Sequence, residues 1–195
     1  VYTSSSLFLL IGVSAYRLEM LEDAEDALQE ANLLENTNPD IWAYLSLVCL
    51  ACGGHRKEEA EKAAQQAERL GVSNANVLRE LATCFMAADK IQVAEDLVRR
   101  AVAVEISQSM AGRANPRTRQ LLADILTVQN QAVLAVEEYK QVLSDDTAER
   151  DTKQSAADKC GALLYSMGRV EDLKSLQKLM VLLRITPSPI IFSSL

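Results

Sequence analysis

The chain has 195 residues, about half of them apolar, a net charge of −7, few aromatics and little glycine or proline. That charge excludes a phosphate-backbone binder, whose affinity rests on clustered Lys and Arg, so no nucleic acid partner is expected. Four scattered cysteines (Cys49, Cys52, Cys84, Cys160) form no disulfide framework and predict a reducing, intracellular compartment. Ala, Leu, Glu, Gln and Lys dominate, which predicts helix nearly throughout. No run approaches the roughly 18 continuous apolar residues of a membrane span, so no membrane partner is expected.

The first predicted helix opens near Ser5. Its apolar run Leu7–Val13, followed by Ser14-Ala15, mimics a signal-peptide core but has neither a basic flank nor an initiating Met before it. The missing Met predicts a piece of a longer chain. Phe8, Ile11, Gly12 and Ala15 sit at helical spacings on one stripe, and Ala24, Leu28 and Ala31 supply a second helix. Asn38-Pro39 then reads as an N-cap followed by Pro at the first helical position. Trp42, Leu45, Ser46 and Cys49 repeat the first stripe, Gly53-Gly54 makes a turn, and Ala60, Ala64 and Ala67 repeat the second.

Leu78, Leu81, Ala82 and Phe85, with Ala94, Val98 and Ala101, make a third copy. Its second helix is overlong through Val102–Met110 and ends at Gly112. After a second Asn-Pro pair at Asn115-Pro116, a fourth copy runs through Arg119, Leu122, Ala123 and Leu126, then Ala135, Tyr139 and Val142. A fifth has Ala157, Cys160, Gly161 and Leu164, then Leu173, Gln177 and Met180. Gly71 and Gly168 end helices within their copies. Residues 184–195, ITPSPIIFSSL after Arg184, carry two prolines and are expected to be an extended tail.

Repeat starts therefore fall near 5, 39, 75, 116 and 154, within a repeat domain over 1–183. Gly12, Ser46, Ala82, Ala123 and Gly161 occupy one equivalent position, small because two helices must approach closely there. This pattern of Trp, Leu, small residue and aromatic, followed by spaced alanines at a period near 34, resembles the tetratricopeptide repeat (TPR). The resemblance implies an all-α, right-handed superhelical solenoid of about five helical hairpins. It also implies a concave groove lined by first helices. Here that groove would be Leu9, Val13, Tyr16, Ala43, Leu47, Leu50, Arg79, Thr83, Met86, Gln120, Asp124 and Thr127, continuing to Asp158, Ala162 and Tyr165. Such a surface suits an amphipathic helix or an extended segment. The family's carboxylate-clamp subtype requires Lys and Asn where this chain has Leu9, Val13 and Arg79, so that function is not implied.

More narrowly, NPDIWAYLSLVCL and NVLRELATCFM are similar to the C-terminal repeats of cilia- and flagella-associated TPR proteins of the axoneme.

Chemistry has few candidates. Cys49-x-x-Cys52 with His55 and Cys84 invites a zinc or redox site. Yet Cys49 falls on a core position and Cys52 at a helix C-terminus, whose dipole raises a thiol pKa. One histidine excludes most nucleophilic triads, and no phosphate loop or HExxH occurs. No catalytic residue, cofactor, metal or small-molecule substrate is therefore expected, and the chain is read as a non-enzyme. Glu19, Glu22, Asp23, Glu25, Asp26 and Glu30 run without an interleaved base, either as a solvated face or as a dock for a basic partner. Arg113, Arg117 and Arg119 make a basic patch, either solvated or a subunit contact.

The expected function is a protein-interaction scaffold, a TPR subunit of a large assembly in the cytoplasm or the ciliary or flagellar axoneme. An adaptor or co-chaperone holding a short peptide in the groove is the alternative. A metal- or redox-active helical protein is a third reading, resting on Cys49 and Cys52 alone.

Overall fold

The computed structural model describes residues 4–186. Among these the protein is all-α: ten α-helices and one 3-10 turn, with no strand. The helices are α1 (Ser5–Arg17), α2 (Leu21–Leu34), α3 (Pro39–Ala51), α4 (Lys57–Arg69), α5 (Ala75–Ala87), α6 (Ile91–Gln108), α7 (Pro116–Val128), α8 (Ala132–Ser144), α9 (Arg150–Ser166) and α10 (Val170–Leu182). They form two compact units that divide between Val104 and Glu105, with α6 running through the division.

Four first helices begin where a short polar side chain takes an orphan amide. Ser4 accepts from Leu7 N, Asn38 from Asp40 N, Asn74 from Val77 N and Asn115 from Arg117 N. Pro39 and Pro116 lose nothing at the first helical position, where no amide partner is available. The α9 helix opens at Arg150, one turn before residue 154, and without a side-chain cap. Just upstream, the Asp145 carboxylate accepts from both Thr147 N and Thr147 Oγ1, ending α8 in a tight turn.

Helix ends share one device. After α1, α4, α5, α7, α9 and α10 a single left-handed residue lets two amides reach back to the last turn. At α1, Glu19 N donates to Tyr16 O and Met20 N to Ala15 O, both at 3.0 Å. Gly71 and Gly168 do this without steric cost. Glu19, Asp89, Asn130 and Arg184 do it with a side chain attached, at φ of 55 to 63°.

In the first unit α1 pairs with α2 and α3 with α4, while α3 also contacts α2 and α5. Its core is Leu28, Ile41, Leu47, Leu78, Leu81 and Phe85, interleaved with buried alanines at 24, 60, 64 and 67. The small position does what its size demands. Gly12 is buried, and a Cβ there would lie 2.6 Å from Leu28 Cγ. Ser46 is buried and donates its hydroxyl to Ala60 O on the facing helix at 2.7 Å.

In the second unit α7 pairs with α8 and α9 with α10, with α8 and α7 also against α9. Leu122, Ile125, Leu126, Tyr139, Leu143 and Leu164 fill the core. The overlong α6 has a role: its Glu105 accepts from Asn115 N and Thr118 Oγ1, both at 2.8 Å, fixing the start of α7. Of the tail expected at 184–195, Ile185 is buried, and residues 187–195 lie outside the described residues.

Candidate interaction surface

Within each unit, the residues expected to line a groove differ in exposure. In the first unit Leu9, Val13, Tyr16, Leu50, Arg79 and Met86 are partly buried and Thr83 is exposed, whereas Ala43 and Leu47 have no exposure at all. Those two are core, not binding surface. The helix α3 is flanked by α1 and α5, and side chains from the flanking helices close above it. Arg17 NH1 and NH2 each donate to a different Glu80 carboxylate oxygen at 2.6 Å, a bidentate pair joining α1 to α5. Tyr16 OH donates to the same Glu80 at 3.1 Å. The Tyr16 ring lies edge-on to Tyr44 at 6.3 Å, and the Arg17 guanidinium sits 5.3 Å from the Tyr16 centroid. Burial first, and the Glu80 charge second, push the Tyr16 phenol well above its ordinary range, so it stays a donor at any physiological pH.

In the second unit the corresponding polar positions are already engaged. Gln120 Nε2 donates to Ser155 Oγ at 2.8 Å. Asp124 accepts from Tyr139 OH at 2.5 Å and from Lys159 Nζ at 2.8 and 2.7 Å. Thr127 Oγ1 donates to Ala123 O. The Gln120 and Asp124 bonds tie α7 to α8 and α9, whereas the Thr127 bond stays within α7. Ala162 and Tyr165 are exposed, and Asp158 partly so.

The basic patch is largely neutralised at home. Arg117 pairs with Glu149 at 2.6 Å and Arg119 with Glu138 at 3.0 Å, leaving Arg113 exposed nearby. The acidic run divides as well. Glu25 takes a bidentate pair from Arg56 at 2.7 and 2.8 Å, which also binds Glu59, and the Arg56 hydrogen bonds hold the Glu25 carboxyl below its usual range. Glu19, Glu22, Asp23, Asp26 and Glu30 stay exposed.

The cysteines behave as packing groups. Burial pushes the Cys49 and Cys160 thiols up to about 11, so both are protonated near neutrality and poor thiolate ligands. Cys84 is raised for the same reason, and Cys52 caps the end of α3. Among the described residues no three His, Cys, Asp or Glu side chains converge as a metal-binding group. No described helix is long and apolar enough to cross a membrane.

Sequence reasoning missed Glu80, Arg17 and Tyr44 as the groove-closing set. Charged residues 63 positions apart give no local signal, and only the approach of α1 to α5 pairs them.

Paired helices with a small residue at one recurrent contact, closed by left-handed C-caps, define a tetratricopeptide-repeat protein. Solved structures share that fold. MamA superposes with a TM-score of 0.67 at 17% identity over 90% of each chain. YrrB, described as a TPR protein with an unusual peptide-binding site, gives 0.66 at 18% identity, covering 94% of this chain and 87% of its own. The sequence model of the cilia and flagella-associated protein 70 C-terminal domain matches residues 2–158, and the chain belongs to that family. Cilia- and flagella-associated protein 70 of Homo sapiens and of Macaca fascicularis are each 47% identical to it over 76 residues, which is 39% of this chain. The matched stretch is 7% of either relative's length.

Proposed function

We propose that this chain is a non-enzymatic scaffold that joins protein subunits of a large assembly in the ciliary or flagellar axoneme. Membership of a cilia- and flagella-associated family supports the placement. The observation that carries the scaffold reading is the closure of the first-unit groove. Tyr16, Arg17 and Glu80 bridge the helices flanking α3, and Ala43 and Leu47 are fully buried. A reversible peptide adaptor needs that surface open, whereas a rigid structural subunit gains from having it shut. Partners are therefore other proteins, met on outward faces.

The test is crosslinking with mass spectrometry on the full-length protein in ciliated cells. Reproducible crosslinks from this region to several axonemal proteins are expected. A single short linear peptide, bound with micromolar Kd and blocked by Thr83→Arg or Met86→Arg, would establish the adaptor instead.

A further inference from the structure

In the first unit α3 stands between α1 and α5, and each of those helices packs against it. The link from α1 to α5 is of another kind, made over α3 by long side chains. Arg17 Nη1 and Nη2 donate to Glu80 Oε1 and Oε2, both at 2.6 Å, and Tyr16 OH donates to Oε1 at 3.1 Å. One carboxylate of α5 thus holds three donors from the last turn of α1. Tyr44 of α3 is buried and lies edge-on to the Tyr16 ring.

Repeat stacking does not require this link. In register, Tyr16, Arg17 and Glu80 of the first and third copies correspond to Leu50, Ala51 and Leu121 of the second and fourth. They also correspond to Met86, Ala87 and Lys159 of the third and fifth. Neither of those sets holds a donor and a carboxylate, so the bond is peculiar to one place in the array.

Packing of neighbours fixes each hairpin only against the next, and small rotations between hairpins add up along a repeat array. A bond from the first hairpin to the third fixes their sum, which is the curvature of the first unit. The bond also yields readily. Arg17 is 52% exposed, and an ion pair of that exposure favours its closed form by up to roughly fivefold. Salt screens such a pair, since the Debye length falls to about 3 Å at about 1 M.

We propose that Tyr16, Arg17 and Glu80 form a salt-sensitive strut that sets the curvature of the first unit by holding its first and third hairpins at one separation. Closed, it covers the inner face of α3, where Ala43 and Leu47 have no exposure. Released, it lets α1 draw away from α5, and the unit flattens. Curvature sets the spacing of the outward faces that partners meet, and for that purpose the proposal rests on the scaffold reading.

The test is double electron–electron resonance on the whole chain. Nitroxides are attached through ketone-bearing residues that replace Ser14 of α1 and Ala87 of α5, both exposed, so the four native cysteines stay in place. At low salt the distances should form one main narrow population with a minor longer one. Arg17→Gln and Glu80→Gln should each raise the longer share about threefold, from about a sixth to about a half, as loss of a fivefold bias requires. Salt at about 1 M should do the same to the parent and add nothing in either variant. Lys62→Gln, which removes an exposed cation of α4, should change nothing. Arg17 is half exposed, so Arg17→Gln keeps the fold and carries the test if Glu80→Gln disturbs it. A distribution indifferent to Arg17→Gln, or a salt response that persists in that variant, overturns the strut. So does an equal response to Lys62→Gln, which would assign the effect to net charge. Axonemal crosslinks alongside an unmoved distance would sink the strut and leave the scaffold standing. A responsive distance with no crosslinked partner would sink the scaffold and leave the strut.

Discussion

Gly12→Ala is the sharpest probe of the repeat contact, because two effects of opposite sign meet there. Replacing a helix-interior glycine by alanine ordinarily stabilises by about 1 kcal/mol. At Gly12 the added Cβ would sit 2.6 Å from Leu28 Cγ, 2.9 Å from Leu28 Cδ2 and 3.2 Å from the Ala24 carbonyl oxygen. Carbon contacts are comfortable near 3.5–4.0 Å, so the overlap is about 1 Å. Leu28 is fully buried, so its side chain can shift only against packed neighbours, and the Ala24 oxygen is backbone. Overpacking of this kind costs about 1–3 kcal/mol, which outweighs the helical gain. We expect net destabilisation of about 1 kcal/mol, localised in α1 and α2. Urea unfolding followed by circular dichroism should show a lower midpoint. Native-state hydrogen exchange should show faster opening of the first hairpin, with α9 and α10 unchanged. The companion change Ala123→Gly, at the same repeat position, should also destabilise, by about 1 kcal/mol of lost helix propensity. A Gly12→Ala protein more stable than the parent would refute the close-approach account.

Other positions test separate contacts. Glu19 holds the left-handed C-cap of α1 at φ 61° with an exposed side chain, so Glu19→Gly should raise the thermal midpoint, by about 1 kcal/mol of relieved strain. A double-mutant cycle on Arg17→Ala and Glu80→Ala should return a coupling of roughly 0.5–1 kcal/mol that falls in salt, since Arg17 is half exposed; zero coupling would remove the clasp across α3. Glu105→Ala deletes the acceptor for Asn115 N and Thr118 Oγ1 and should cost about 1–3 kcal/mol, with exchange rising first in α7. The Glu25 carboxyl is held below its ordinary pKa by Arg56, so the folded state binds its proton less readily than the unfolded chain. Its stabilisation is present above the ordinary glutamate range and is lost as pH falls through the depressed folded value. Glu25→Gln should accordingly be less stable near neutrality and lose less stability on acidification; a parallel pH profile for both proteins would contradict the pairing.

Much of the architecture is legible because it is written in local spacing. Of the stripe at Trp42, Leu45, Ser46 and Cys49 the last two are buried and the first two partly so, while its relative Ile11 in α1 is exposed. The Asn-Pro pairs mark true helix starts. Less legible were the helix ends. Gly71 and Gly168 announce a left-handed cap, while Glu19, Asp89, Asn130 and Arg184 adopt the same backbone with no glycine to signal it. There the returning amides and the burial of the next helix outweigh a local penalty of about 1–2 kcal/mol.

The candidate surface shows the same boundary between local and distant information. Tyr16 was identifiable as a residue of the inner helix face, but its partner Glu80 belongs to a helix two hairpins on. Arg117 and Arg119 read as a basic patch until Glu149 and Glu138 arrive from elsewhere in the chain. The Cys49-x-x-Cys52 pair reads as chemistry until burial holds Cys49 protonated.

By itself the sequence determined the helices, their pairing into hairpins and the small residue at each hairpin contact, since all of these follow from side-chain period and volume over neighbouring residues. Only the tertiary structure decided which of those faces meet water. It buried Ala43 and Leu47 beneath the bridge from Arg17 to Glu80, and it paired Arg117 and Arg119 with Glu149 and Glu138. Exposure is set by elements distant in the chain, and period and volume carry no record of them.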